Sequence, residues 1–572
     1  MEGKGTSRMA NRKAPLETES EAWNKLPWRK LEKHVYRIQK RIYRASQRNN
    51  LRAVHKLQKL LMKSEAARLV AVRRVTQDNQ GKKTAGVDGV KSVPPKQRLV
   101  MAKQIHPKNW KKSRSKPVRR VWIPKAGSDE KRPLGIPTML DRTKQAVGKL
   151  TLEPQWEAIF EPNSYGFRPG RSCQDAIDAI YLEIKQKPKY VYDADIKGCF
   201  DNINQERLLE TLFTYPAMRH AVKGWLKAGV LEGNVFAPTE TGTPQGGVIS
   251  PLLANIALTG MEYMVSKHVP GAKLIRYADD FVILHKDLDM LNKAAEKVAI
   301  WLKVRGLWLN PKKTRVTHTL TPHEGSVGFD FLGFTVRQFP VGKTHTGKGT
   351  TGKPLGFKTL IKPSEKAIKR HMAETKRRLE VLKSRPQWQV IKELNPVIRG
   401  WSNYYRGVIA KGTFTKCDYM LYCQLTQWSR KRHPKRGKLW IYKKYWRESE
   451  KHAIVFATPE GAWIKGHGLV SIQRHVKVKG NASPYDGNLL YWTKRLKKHP
   501  MLNGKLAKLL QEQKGVCRKC GLLFRDGDLI EIDHIVFKRY GGKDTIDNLQ
   551  ALHLHCHDQR HAELALKGVI DK

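Results

Sequence analysis

The stretch Leu274-Ile275-Arg276-Tyr277-Ala278-Asp279-Asp280-Phe281-Val282-Ile283-Leu284 decides how the rest of the chain is read. Two short apolar, β-rich segments flank Tyr277-Ala278-Asp279-Asp280, which predicts a hairpin with an acidic pair at its bend. Adjacent carboxylates at a bend repel each other unless a cation lies between them. In a chain with 109 Lys and Arg, a divalent metal with phosphate oxygens as its other ligands is the natural counter-ion. A plain polar β-turn is the rival reading, because Asp is a common turn residue. The remaining sequence has to choose between them.

Composition narrows the choice. The chain has 572 residues, with 109 Lys and Arg against 51 Asp and Glu, for a formal charge of +58. The length predicts three or four domains. A hydrophobic fraction of 40% supports real cores and excludes a disordered polycation. The cations run from end to end, so the expected partner is a polyanion, nucleic acid before a membrane surface. No apolar run reaches 18 residues and the N-terminus has no signal-peptide pattern, so neither a spanning helix nor secretion is expected. Of seven cysteines, Cys173, Cys199, Cys417 and Cys423 are scattered, while Cys517, Cys520 and Cys556 lie close together. That usage predicts a reducing compartment and one metal site.

Residues 1–20 are polar and expected to fray. From Trp23 to about Val75 the pattern is helical, with Val35, Ile38 and Ile42 on one face and Leu51, Val54 and Leu57 on another. Gln77 to Val90, with Gly81, Gly86 and Gly89, predicts a flexible loop. Strands and helices mix over 95–355, and Val341–Gly356 has the composition of a linker or exposed loop. Helices resume near Pro363. Residues 428–447 interleave basic and aromatic side chains, 460–500 is basic and irregular, and a Cys/His-rich module occupies 505–572. No repeats are visible.

A second acidic run, Val191-Tyr192-Asp193-Ala194-Asp195-Ile196-Lys197-Gly198-Cys199-Phe200-Asp201, reads as a strand ending in a carboxylate. Asp195 with Asp279 and Asp280 would make three carboxylates, a set able to hold two divalent ions that activate a 3′-hydroxyl and grip a triphosphate. Between them, Gly242-Thr243-Pro244-Gln245-Gly246-Gly247 allows close backbone approach to a substrate. Upstream, Arg119-Arg120-Val121-Trp122-Ile123-Pro124-Lys125 and Lys131-Arg132-Pro133 place cations on strand-like frames. Near the C-terminus, Cys517-Arg518-Lys519-Cys520 and His553-Leu554-His555-Cys556 predict a zinc site of Cys517, Cys520, His553 and Cys556, with His555 as the rival fourth ligand.

In this order, Ser164-Tyr165-Gly166-Phe167-Arg168-Pro169-Gly170-Arg171-Ser172, the Asp195 motif, Pro244-Gln245-Gly246-Gly247, Tyr277-Ala278-Asp279-Asp280, Gly306-Leu307-Trp308-Leu309-Asn310-Pro311 with Lys313-Thr314, and Phe329-Asp330-Phe331-Leu332-Gly333-Phe334 resemble a group II intron-encoded protein, a reverse transcriptase and maturase with an attached endonuclease. The resemblance implies a multidomain α+β chain. Its parts are a basic helical extension with an RNA-binding loop (1–95), right-hand polymerase fingers and palm with an antiparallel sheet (96–355), a helical thumb or maturase domain (356–435), a basic DNA-binding region (436–504) and a ββα-metal HNH zinc module (505–572). Asp195, Asp279 and Asp280 would be the Mg²⁺-binding triad. Lys125 and Arg132 would grip the triphosphate, with Lys131 a neighbour easily confused with Arg132. Gln245 would line the nucleotide pocket, Phe200 would crowd a 2′-hydroxyl, and Lys313 is a candidate to protonate the pyrophosphate. Leu394-Asn395-Pro396-Val397-Ile398-Arg399-Gly400-Trp401-Ser402-Asn403-Tyr404-Tyr405-Arg406 resembles the maturase signature, with Arg399, Trp401 and Arg406 toward RNA; Trp401 is expected to be buried and the arginines exposed.

Between the cysteine pairs, Glu531-Ile532-Asp533-His534-Ile535, Gly541-Gly542, Asp547-Asn548-Leu549 and His557 resemble the HNH nuclease signature. His534 would be the general base, Asp533 and His557 would hold Mg²⁺, and Asn548 would fix the loop and orient His534; His561 has no assigned role. The implied protein binds its intron RNA, assists splicing, nicks double-stranded target DNA and extends the cut end with deoxynucleoside triphosphates. It is expected to be nucleoid-associated in a bacterial cytoplasm, or organellar, with no membrane partner, and compatible with a homodimer. The alternatives are a reverse transcriptase in defence or repair, and an RNA-folding maturase without polymerase activity.

Overall fold

Four strands around the acidic turn make the central sheet of the palm. In order they are Lys273–Tyr277, Asp280–His285, Tyr190–Asp195 and Arg315–His318, all antiparallel. The computed structural model describes residues 19–110, 114–124, 130–342, 344–448, 454–496, 504–524 and 528–566. Ile275, Phe281, Val282, Ile283 and Leu284 are all buried, as near-continuous apolar strands in a covered sheet should be.

The fingers carry a second sheet, ordered Lys131–Ile136, Val118–Pro124, Val230–Glu232, Val235–Ala237. The helix Met139–Glu157, which follows the fingers hairpin, is buried on nearly every face. Its buried polar side chains each reach a different element. Arg142 donates to the carbonyls of Pro137, Gly81 and Thr84. Gln145 accepts from Val248 N–H, Glu153 accepts from the Tyr485 hydroxyl, and Glu157 pairs with Arg168 at 2.9 Å. Buried polar groups are tolerated because each is paired. The helices Trp28–Gln47, Leu51–Lys63 and Glu65–Arg73 of the N-terminal extension join this same core.

Two expectations change, and the linker-or-loop alternative at Val341–Gly356 resolves to the loop. The 77–90 segment is less loop-like than its glycines suggest: a π-turn (Arg74–Asp78) and a 3₁₀ turn (Gln80–Lys83) lead into it. Its middle is pressed onto the fingers, where a Cβ on Gly86 would lie 2.8 Å from the Thr138 backbone. Val341–Gly356 is a hairpin loop, not a linker, because Phe334–Pro340 and Phe357–Pro363 pair in register on either side of it; that sheet runs through the expected 355/356 boundary. The thumb likewise runs past 435. Its helices Glu365–Val381, Gln387–Tyr405 and Lys411–Arg432 share one core with Ile441, Tyr445, Trp446, Phe456 and Ile464.

The basic segment beyond the thumb folds back as a strap. Asp418 holds the Nδ1 and backbone N–H of His467 and the N–H of Gly468. Further on, the palm carboxylate Asp175, fully buried at the cap of helix Cys173–Ile184, faces His475 Nε2 (3.0 Å), Val478 N–H (2.7 Å) and Arg495 (2.8 Å). Arg171 donates to the Gly480 carbonyl. Tyr36 of the N-terminal extension donates to the Pro484 carbonyl. Trp492, fully buried, lies where a Cβ on Gly170 would come within 2.5 Å of its ring. The strap's last helix, Leu489–Arg495, carries the nuclease module through Leu490 and the Gln511 to Thr493 carbonyl bond.

That module is a hairpin, Ile530–His534 with Leu549–His553, followed by helix Leu554–Leu566 and preceded by helix Gly504–Glu512. Its apolar core is small, essentially Leu506, Leu509, Leu510, Leu549 and Ala551. A core of that size needs a metal or covalent staple.

Two candidate active sites

The polymerase acids are set by strand register. Asp195 lies directly opposite Asp280, and Tyr277 pairs with Asp280 across a two-residue turn of Ala278 and Asp279. Ala278 takes φ +58°, the left-handed conformation that a tight hairpin turn demands. The turn is braced from behind. Arg276, wholly buried, donates to Asn255 Oδ1 and to the Ala278 carbonyl, both at 3.0 Å. Asn255 in turn donates to the Gly166 carbonyl. Gly166 is required here, because a Cβ would sit 2.3 Å from the Ala278 nitrogen.

Burial, the Asp279 charge and the Asp195 charge push Asp280 up to about 7. Burial and Asp195 also raise Asp279. Carboxylates held this way favour a cation among them. The Lys313 ammonium lies 2.8 Å from Asp195 Oδ2, and that bond raises the lysine.

The nucleotide-site expectations fare unevenly. Arg132 stands exposed on the fingers strand, close enough for its charge to lower the Asp279 carboxyl. Lys125 lies outside the described residues. Gln245 is half-buried and its amide faces Asp201 Oδ2 at 3.4 Å, while its carbonyl accepts from Gly135 N–H at 2.6 Å. That bond ties the Pro244-Gln245-Gly246-Gly247 loop to the fingers. Phe200 is half-buried and meets Phe167 edge-on at 6.1 Å. In the maturase segment Arg399 is exposed. Trp401, expected to be buried, is half-buried: its ring stacks on His371 at 4.6 Å and abuts Tyr405, Phe414 and His467. It is a packing residue, because the ring is taken up by protein neighbours. Arg406 is half-buried and bonds the Gln473 side chain of the strap.

The nuclease module brings two groups together. The ligand atoms of Cys517, Cys520, His553 and Cys556 all lie within 4.8 Å of one another. The Cys520 sulfur is 3.4 Å from His553 Nδ1, and His553 Nε2 faces Asp528 at 3.2 Å, the acid behind an imidazole ligand that orients it. His555 is exposed and stacks on His553, and it is His553 that lies among the three cysteines. Burial opposes ionising Cys517, yet the backbone amides of Cys520, His553 and Lys519 bring its thiol down to about 6. This donor set fits tetrahedral Zn²⁺.

The second group is Asp533, His557 and His561. His561 was missed in the sequence, although its four-residue spacing from His557 on a helix is a readable ligand signal. Gln550 and Arg560 hold the other oxygen of Asp533. Asn548 clamps the loop, accepting from Val536 N–H and donating to the Val536 and Lys543 carbonyls. Its backbone carbonyl accepts from Ile535 N–H at 2.8 Å, which holds the residue after His534. Gly542 has a steric reason: a Cβ would lie 1.9 Å from the Val536 carbonyl oxygen.

Family models match these parts in turn. Residues 23–105 match the N-terminal domain of reverse transcriptase, 123–336 the reverse transcriptase (RNA-dependent DNA polymerase), 366–446 the group II intron maturase-specific domain, and 517–563 the HNH endonuclease. The class is therefore an RNA-directed DNA polymerase joined in one chain to a DNA endonuclease. Protein YkfC of Escherichia coli is 31% identical over 312 residues, 46% of this chain and 79% of that protein. The group II intron-encoded protein LtrA of Lactococcus lactis is 29% identical over 389 residues, 54% of this chain and 63% of that protein, a little under two thirds of its length. The chain belongs to the group II intron-encoded reverse transcriptase–maturases that carry an HNH endonuclease. Among the described residues no helix is long and apolar enough to cross a membrane.

Proposed function

We propose that this protein copies an intron RNA into DNA from a 3′ end that its own nuclease creates, and that it assists the splicing of that RNA. The observation that carries the reading is the coexistence, in one bolted chain, of Asp195 facing Asp280 beside Asp279, and a separate Asp533–His557–His561 group. In the polymerase, Asp195, Asp279 and Asp280 would hold Mg²⁺, which when bound polarises the triphosphate and the primer hydroxyl. Arg132 and Lys125 would take the triphosphate oxygens, Gln245 and Phe200 would border the nucleotide, and Lys313 would give a proton to the departing pyrophosphate. The template is read by base pairing, so the protein need only fit duplex shape and backbone.

In the nuclease, Asp533, His557 and His561 would hold a divalent ion, while Cys517, Cys520, His553 and Cys556 would hold zinc as a staple. His534 would take the proton of the attacking water. The partners follow: intron RNA, for which Arg399 and the exposed cations of the thumb are available, and double-stranded target DNA. A nucleoid or organellar setting suits them.

The test is target-primed copying. The purified ribonucleoprotein is given labelled duplex DNA containing the insertion site, Mg²⁺ and deoxynucleoside triphosphates. The expected product is a nicked strand whose 3′ end is extended into intron-complementary DNA. Extension of added primers with no extension at self-made nicks would overturn the coupling.

A further inference from the structure

The general base of a hydrolase must be held, and its ring nitrogens are not equivalent. His534 Nε2 is a buried atom, and among the described residues no hydrogen bond of good geometry reaches it. What it faces is the carboxylate of Asp544, with Oδ1 at 3.4 Å. Asp544 is itself anchored, because Lys505, from the helix that opens the module, bonds its other carboxylate oxygen and also its backbone carbonyl. The Lys505 bond and charge lower the Asp544 carboxyl, and the His534 side chain lowers it further. Asp544 follows the segment that Asn548 clamps through the Lys543 carbonyl and that Gly542 lets approach Val536. The loop is thus pinned on both sides of this carboxylate.

We propose that Asp544 is the positioning residue of the nuclease: it accepts from Nε2–H of His534, fixing the ring orientation and the tautomer that leaves Nδ1 free as the base. This rests on the nuclease reading above. In the step, Nδ1 takes a proton from water as the hydroxide forms a bond to phosphorus. The bond from phosphorus to the 3′ oxygen breaks, and that oxygen leaves with a proton from solvent, giving a 3′-hydroxyl and a 5′-phosphate. Asp544 touches no reacting atom; it stabilises the imidazolium that the step creates. The role given by resemblance to Asn548 is thereby divided, with Asn548 shaping the loop and Asp544 holding the ring.

The experiment compares nicking of a labelled duplex by the full-length protein and by Asp544→Ala, Asp544→Glu, His534→Ala and the Asp544→Ala/His534→Ala pair. Asp544→Ala is expected to lower kcat for nicking by about 10–100-fold, the usual cost of losing an outer partner of a site imidazole. KM for DNA, zinc content and primer extension on an RNA template should be unchanged. Asp544→Glu should restore most of the loss. The double variant should be no slower than His534→Ala alone, because groups acting as one unit are not additive. Nicking by Asp544→Ala within twofold of wild type, or a further loss in the double variant, would overturn the proposal. Absence of nicking by the wild-type protein would instead remove the nuclease reading itself.

Discussion

The two sites are built on opposite plans. The polymerase acids come from two strands of a buried sheet, and their turn is held by Arg276, Asn255 and Gly166, side chains and backbone from three further stretches of chain. The nuclease groups all fall between Cys517 and His561, on a cysteine-bearing turn, one hairpin and one helix, around a core of a few leucines. The first site is a property of a large tertiary core; the second is a property of local sequence around a Cys/His cluster. They should therefore fail separately and for different reasons.

The strongest way to break that contrast is Asp279→Ala. Primer extension on an RNA template should fall by about three orders of magnitude or more, as expected when a charge-stabilising group leaves a polymerase centre. Nicking and splicing assistance should persist; equal loss of all three in a folded protein would refute separateness. Next is the staple. Cys517→Ser, or removal of zinc by a chelator, should abolish nicking and the module's unfolding transition, since structural zinc supplies folding energy outright. Extension should stay within twofold, and a comparable loss of polymerase activity would show that the core depends on the module.

A steric change sharpens the polymerase half. Gly166→Val drives side-chain atoms into the Ala278 backbone, so extension should drop about 100-fold from misplacement alone, with nicking intact. The smallest effect lies in the thumb. Burial, then the neighbouring His467, lower His371 from 6.5 to about 4. The unfolded chain takes up this proton first as pH falls. The stability from the neutral buried ring is thus fully present above pH 6.5 and lost between there and about pH 4, with an upper bound on the order of 3 kcal/mol. Calorimetry of wild type against His371→Gln should show the gap in unfolding free energy narrowing over that interval. A constant gap would contradict a neutral buried ring.

The contrast also explains what could be read in advance. The acidic turn is legible because an Asp pair interrupts a β-rich run, and the Cys/His cluster because its spacing is local. What supports the turn is not, because Arg276 and Asn255 look like any basic strand residue and any helical Asn until the fold brings them together. The nuclease held one readable signal left unused, His561 four residues after His557. The strap was read as irregular and basic, which its composition supports. Its anchor is Asp175, 300 residues from His475 in sequence, and no local pattern carries that pairing. Trp401 shows what a local segment does carry: an aromatic in a helical apolar pattern predicts packing, and its ring stacks on His371.

The strap also sets where the chain can be divided. A fragment ending near residue 496 removes the nuclease and keeps every partner of Asp175. One ending near 456, where the thumb core nearly closes, takes away His475, Arg495 and the Val478 N–H and leaves the Asp175 carboxylate in the palm without its arginine partner. Breaking a buried pair in this way costs about 3–5 kcal/mol, comparable to much of a domain's net stability. The smallest excisable polymerase is thus longer than its motifs imply, and engineering that lifts it from the nuclease has to cut after Arg495.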